Sequence, residues 1–209
     1  MNNTLFIDNF AFWTENDAET IPDVSFIPPM LRRRLSTLEK TAIAMAACVA
    51  PKSSDYKTVF ASRFGEWNQT IKLIRQFYDD HEMSPAGFSN SVHNASMGHL
   101  SLLTHNKKSY TSVAGGERTI ENALLDAMLN TEPVLFIYCE EKNPSEYEHI
   151  LNQHILSHGC AVFIDKNGTN RYELLKNDAE IPPLTFEKLK EFLKNGFELQ
   201  TSNWKLLKK

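Results

Sequence analysis

The chain has 209 residues, 42% hydrophobic and 23% charged, a composition typical of a globular protein with one substantial core or two small ones. Its formal net charge of −4 and pI near 6.0 provide no global positive field for nucleic acid or anionic lipid. It has no secretory leader pattern and no apolar run long enough to span a bilayer, so we expect a cytoplasmic protein without membrane insertion.

Strand and helix patterns alternate along the first part of the chain. The aromatic and branched residues of Thr4–Trp13 predict a strand, and the apolar stretch Thr37–Ala50 predicts a buried helix. Arg32–Arg34 precede that helix, either as a solvated, partner-facing helix start or as a site for an anion or an acidic protein. Lys57–Phe64 predicts a second strand and Trp67–Tyr78 an amphipathic helix.

The centre of the chain predicts a helix, a buried strand, a sharp elbow and another helix. Ser84-Pro85 opens the first helix, and Ser109–Val113 has strand character. Gly115-Gly116 suits a sharp strand-to-helix turn, and Glu117 then complements the dipole of the helix Glu117–Asn130. Enzymes often place a nucleophile at such an elbow, but Ala114–Glu117 contains no Cys, Ser or Thr.

The rest of the chain continues the alternation. Pro133–Cys139 predicts a central strand, Gly159–Asp165 another, and Arg171–Lys176 a hairpin partner for the latter. Leu184–Gly196 predicts an amphipathic helix, followed by a tail. Strands alternating with helices indicate an α/β protein whose mostly parallel sheet carries helices on both faces.

Other chemistry-bearing residues favour structural roles. Ser112 with His93 as base would make a hydrolase, but Ser112 lies inside a strand and outside any Gly-x-Ser-x-Gly elbow. The histidines lack the spacing or third ligand of a metal site, so we expect no metal and no cofactor, with His154 and His158 on a helix surface. The cysteines are odd in number and lie in apolar segments, which indicates reduced core thiols: Cys48, Cys139 and Cys160.

Four segments in order resemble the N-terminal half of β-ketoacyl synthases. They are Met30–Leu38 (MLRRRLSTL), Val59–Glu66 (VFASRFGE), Ser84–Gly98 (SPAGFSNSVHNASMG) and Val134–Glu140 (VLFIYCE). The combination is most similar to the short chain length factors of bacterial aryl polyene pigment clusters, and the similarity covers nearly all of Leu5–Asp165.

The resemblance implies half of a thiolase-like fold, βαβαβαββ, with a five-stranded mixed sheet, helices on both faces and the second half absent. Residues 1–176 would form the ketosynthase-like domain, and 177–209 a C-terminal helix and tail. The family's nucleophilic cysteine position falls on Gly116, between Gly115 and Glu117, so the chain would not be an enzyme. The face that a second half would cover predicts poor solubility of the chain alone.

The resemblance also implies a partner, a full-length ketosynthase bound as a heterodimer, with a heterotetramer left open. An acyl carrier protein would deliver substrates to the complex, and a type II polyketide-like or fatty-acid-like condensation would yield the polyene. The interface strand would comprise Ser109, Tyr110, Thr111, Ser112, Val113 and Ala114. The residues lining the partner's acyl tunnel would be Phe88, Val92, Met97, Leu100 and Leu103. The alternatives are a stand-alone acyl hydrolase or acyltransferase using Ser112, or half of a split condensing enzyme.

Overall fold

A computed structural model describes residues 4–17, 21–52, 55–151 and 153–209. Within these ranges one mixed sheet has the strand order β3-β2-β4-β5-β1-β6-β8-β7. The strands are β1 (Thr4–Thr14), β2 (Lys57–Ala61), β3 (Tyr110–Val113), β4 (Val134–Glu140), β5 (His158–Asp165), β6 (Arg171–Lys176), β7 (Glu198–Gln200) and β8 (Trp204–Lys208). The helices are α1 (Pro29–Arg32), α2 (Thr37–Val49), α3 (Trp67–Asp80), α4 (Pro85–Ser89), α5 (Ala95–Thr104), α6 (Thr119–Leu129), α7 (Glu148–Leu151) and α8 (Phe186–Asn195).

The α/β class with helices on both faces is confirmed. Strands β3, β2 and β4 are parallel, and the other neighbouring strands are antiparallel, so the prediction of a mostly parallel sheet is wrong. The first five strands in the order correspond in number to the expected sheet, and β6, β8 and β7 extend it to eight. Helices α2 and α5 pack on one face, and α6 and α8 on the other.

The predicted hairpin between β5 and β6 is wrong, because β1 lies between them and pairs with both. The connection from β5 to β6 crosses β1 at the point where the register of β1 with β5 shifts, between Ile7 and Asn9. There the Asp8 carboxylate accepts hydrogen bonds from the backbone N–H groups of Thr169 (2.9 Å) and Asn170 (2.7 Å). These bonds lower the pKa of Asp8 to about 2 and hold the crossing in place.

Helix α2 forms where the sequence predicts it, for identifiable local reasons. Ser36 accepts a hydrogen bond from the Glu39 N–H (2.9 Å), and the Glu39 carboxylate accepts one from the Ser36 N–H (2.7 Å). This capping box fixes the start of the helix. Pro51 follows Ala50, and Ala42 and Ala46 let the helix pack closely on the sheet.

The segment predicted to be a helix and a tail contributes two further strands. Leu199, Trp204 and Leu206 are buried, and the Trp204 Nε1–H donates to the Glu121 carbonyl oxygen of α6 (3.2 Å). Helix α8 buries Leu189, Phe192 and Leu193 beside α6 and turns charged residues outward. Helices α6 and α8 therefore cover one face of the sheet, and the expectation of an uncovered face is wrong for that face. The division into 1–176 and 177–209 stays a prediction, and strands from both segments are neighbours in the sheet.

Candidate functional site

The predicted elbow lies between β3 and α6. A 3-10 turn over Gly116–Arg118 precedes α6, which therefore begins two residues later than the sequence predicts. Thr119 closes the elbow, since its Oγ1 accepts from the Gly115 N–H (2.9 Å) and donates to the Gly116 carbonyl oxygen (2.7 Å). Gly116 has φ +60°, the left-handed conformation that glycine adopts without strain.

The position of Gly116 has room for a side chain. A Cβ built there meets nothing within 4 Å, whereas a Cβ at Gly115 would lie 2.8 Å from Asn122 Nδ2. Backbone conformation, and not lack of space, therefore favours glycine at position 116. The elbow could carry a side chain into the neighbouring cavity, but the residue that stands there supplies none.

That cavity, which we call the elbow cleft, has a volume of about 540 Å³. It lies between the elbow, the carboxyl ends of β2 and β4, the start of β5 and the segment Pro182–Glu187. Its side chains include Arg63, Tyr138, Glu140, His158 and Phe186. Sequence reasoning missed this group, because it comes from four separate segments of the chain. The available signal was the polar residues at the ends of buried strands.

Glu140 forms part of the cleft and is almost fully buried. Its carboxylate accepts hydrogen bonds from Ser62 Oγ (3.1 Å), from the Phe64 N–H (3.4 Å) and from the Arg63 N–H. Burial raises its pKa to about 7, against the lowering effect of these bonds. Through these hydrogen bonds, Glu140 stabilises the turn that follows β2.

The cysteines do not provide a replacement nucleophile. Cys139 and Cys160 are buried in β4 and β5 as predicted, and burial raises the pKa of both thiols, that of Cys160 to about 12. Neither forms a thiolate near neutral pH. The prediction for Cys48 is wrong, because it is exposed on α2.

Ser112 and His93 lack the contact that a hydrolase would need. His93 Nε2 lies 2.8 Å from the Ser62 carbonyl oxygen, so that nitrogen donates its hydrogen there. The Ser112 hydroxyl is buried and has no hydrogen-bond partner among the residues described. No base in the described part of the chain therefore activates this serine.

The other histidines have structural contacts. His99 Nδ1 lies 2.8 Å from the Glu39 carboxylate, and His154 Nδ1 lies 2.7 Å from that of Glu148. The placement of His154 and His158 on one helix is wrong, because His154 follows α7 and His158 begins β5. Across the described ranges, no three His, Cys, Asp or Glu side chains are grouped to hold a metal ion.

The predicted interface strand lies at one end of the sheet. β3 pairs only with β2 within the described chain, and Ser109, Tyr110 and Thr111 are exposed, so the interpretation of β3 as a buried strand is wrong. The Ser109 and Val113 carbonyl oxygens accept from β2. Since backbone groups alternate along a strand, the N–H and C=O of Tyr110 and Ser112 face the open edge.

The predicted tunnel residues lie in different surroundings. Phe88 is 60% exposed and Val92 46% exposed, whereas Met97 and Leu100 are buried in the core beneath α2. Leu103 packs at the margin of that core. The single predicted helix divides into α4 and α5, which separates the exposed members from the buried ones.

The family model described as "Beta-ketoacyl synthase, N-terminal domain" matches residues 9–197, and the chain belongs to this family. No curated protein sequence matches the chain. No helix in the described residues combines the length and apolarity of a membrane span.

Solved ketosynthase structures share the fold. A chain of the ketosynthase ApeO in complex with its chain length factor ApeC, from Xenorhabdus doucetiae, matches at TM-score 0.74 and 20% identity, covering 98% of this chain and 99% of that chain. The ishigamide ketosynthase/chain length factor matches at TM-score 0.62 and 11% identity over 83% and 68% of the two chains. AntDE:AntF, a type II acyl carrier protein in complex with its ketosynthase, matches at TM-score 0.66 and 12% identity over 86% and 70%. The fold is the thiolase-like α/β fold of ketosynthases.

Proposed function

We propose that this chain is a non-catalytic chain length factor. The observation that carries the proposal is a glycine elbow in a β-ketoacyl synthase N-terminal domain, at the point where the resemblance implies the family's nucleophilic cysteine. The remaining thiols of the cleft's strands are buried and protonated, so they do not replace the missing nucleophile. Condensation then belongs to a partner, an active β-ketoacyl synthase.

The partner binds at the open edge of β3. Ser109–Ala114 would pair antiparallel with the equivalent strand of the ketosynthase and continue the sheet across both chains. Two features support this surface: backbone groups on the open edge, and the partly exposed Tyr110. Complexes of a ketosynthase with a chain length factor contain chains of this fold, which supports a heterodimer and leaves a heterotetramer as a further assembly.

The chain shapes the partner's acyl tunnel from α4, α5 and the turn between them. Phe88 and Val92 are exposed enough to contact a partner directly. The core packing of Met97, Leu100 and Leu103 would fix the position of the surface that carries Phe88 and Val92. The product would be an aryl polyene of defined length, made in the cytoplasm by type II polyketide-like chemistry.

An acyl carrier protein would dock beside Arg32–Arg34. Arg33 and Arg34 are exposed, whereas Arg32 is partly covered and donates to the Val24 carbonyl oxygen (3.4 Å). The exposed apolar side chains of Phe26 and Met30 lie in the adjoining sequence, and residues 26–38 contain no acidic residue. A cationic and apolar surface of this kind complements an acidic amphipathic helix.

Co-expression with the ketosynthase of the same gene cluster tests the pairing. Ser112→Pro removes one outward N–H and leaves the bonds to β2, so we expect co-purification to be lost. Ser112→Ala, the matched control, keeps the N–H and should co-purify like wild type. Retention of the complex by folded Ser112→Pro would contradict pairing through β3.

A further inference from the structure

The proposed function leaves the elbow cleft without a role. Its volume of about 540 Å³ lies in the ordinary range of small-molecule sites. Ile120, Leu156 and Phe186 give it apolar walls, and the segment Pro182–Glu187 closes one side. The lining also carries polar and charged side chains, of which Tyr138 and Glu140 lie beside His158.

The hydrogen bonds of His158 determine which of its nitrogens is free. Nδ1 lies 2.7 Å from the Leu156 carbonyl oxygen, which can only accept, so Nδ1 carries the hydrogen. Nε2 of the neutral ring is therefore an acceptor. Burial lowers the pKa of His158, which keeps the ring neutral.

Tyr138 leaves that acceptor largely unused. Its hydroxyl lies 3.4 Å from His158 Nε2, which is long for a hydrogen bond from an O–H donor, so the nitrogen is only weakly engaged. An acceptor nitrogen thus borders the cleft without a strong donor.

The walls and charges restrict what could bind there. The His158 and Phe186 ring centroids are 4.6 Å apart, and the Tyr138 and His158 centroids are 5.5 Å apart, so aromatic rings line one side. Such walls suit a flat ligand. Arg63 lies 4.0 Å from the Glu117 carboxylate at the mouth, and the carboxyl groups around the cleft outnumber this guanidinium, so an anion is disfavoured.

We propose that the elbow cleft binds a flat, uncharged molecule that donates a hydrogen bond to His158 Nε2. The lining residues all belong to this chain, so we expect binding in the absence of the ketosynthase partner. The aromatic rings pack against the flat face of the ligand, and the His158 acceptor favours ligands that carry a hydrogen-bond donor.

Binding of β-naphthol to the purified chain, measured by NMR titration, tests this site. Its methyl ether has the same flat apolar body and no donor. We expect saturable binding of β-naphthol with shifts confined to cleft residues, and binding of the ether about 3- to 10-fold weaker, the range of one lost hydrogen bond. Equal affinity of the two compounds, absence of saturation, or shifts on another surface would overturn the proposal.

The variant His158→Phe keeps an aromatic ring and removes the acceptor. We expect this variant to bind β-naphthol about 3- to 10-fold more weakly than wild type does, and to bind the methyl ether with unchanged affinity. A thermal melt checks that the variant is folded. If it is not folded, the comparison of the two ligands on the wild-type chain still tests the proposal. Unchanged β-naphthol affinity in the folded variant would contradict the role of His158.

Discussion

Glu66→Gln should stabilise the protein in alkaline solution. Glu66 is only 3% exposed at the start of α3. Ser36 Oγ donates to its Oε1 (2.9 Å), while Oε2 is buried with no partner among the described residues. Burial, and then the nearby Glu39 carboxylate, raise the pKa of Glu66 from 4.5 to about 8.

The sign of the effect follows from proton linkage. The folded protein holds the Glu66 proton more tightly than the unfolded chain does, so stability falls as pH rises from about 4.5 to about 8. At 1.36 kcal/mol per pKa unit, the loss at high pH is about 3 to 5 kcal/mol. Glutamine cannot ionise and can still accept from Ser36, so the variant should escape this loss.

Urea unfolding of wild type and variant, at about pH 5 and about pH 9, measures the difference. The two proteins should be nearly equally stable at the lower pH, and Glu66→Gln more stable at the higher. Glu140 titrates in the same window, but it is present in both proteins and cancels. Glu191→Gln on the exposed face of α8 is the control. Parallel stability curves for wild type and Glu66→Gln would refute the reasoning.

Three further predictions concern the elbow, the C-terminal segment and the basic surface. In a Cys48→Ala background, Gly116→Cys should react rapidly with iodoacetamide in the folded chain, because its side chain would enter open space at the start of a helix; no labelling would contradict that geometry. Phe192→Ala should lower the free energy of unfolding, measured by urea titration, by about 3 to 5 kcal/mol, because Phe192 is buried. The control Lys194→Ala, at an exposed position of the same helix, should change it by no more than about 0.5 kcal/mol. Equal effects of the two substitutions would contradict the packing of α8 in the core. Combined Arg33→Glu and Arg34→Glu should weaken carrier-protein binding to the complex in a salt-dependent way, whereas the exposed Lys107→Glu should not.

The sequence predicts the core elements well, because each has a strong local pattern. The fully buried run of β4 and the capped apolar helix α2 occur where the pattern indicates them. The elbow is also predicted, since glycine adopts the φ of +60° at position 116 without strain. These features depend on residues close together in the chain.

The features that sequence reasoning missed depend on distant residues. The pairing of β6 with β1 results from the crossing at Asp8, more than 160 residues away in the chain. The exposure of β3 follows from its place at the end of the sheet, which periodicity does not reveal. Strands β7 and β8 were detectable, because Leu199, Trp204 and Leu206 alternate with polar residues in strand fashion.

The distribution of acyl groups in the assembled complex tests the central claim most directly. The chain and its ketosynthase are purified together, incubated with an acyl-loaded carrier protein, and weighed as intact proteins by mass spectrometry. With the exposed Cys48 replaced by Ala in this chain, we expect the acyl mass on the ketosynthase alone, because Gly116 offers no nucleophile and the Cys139 and Cys160 thiols are buried. An acyl group covalently attached to this chain would contradict its assignment as the non-catalytic subunit.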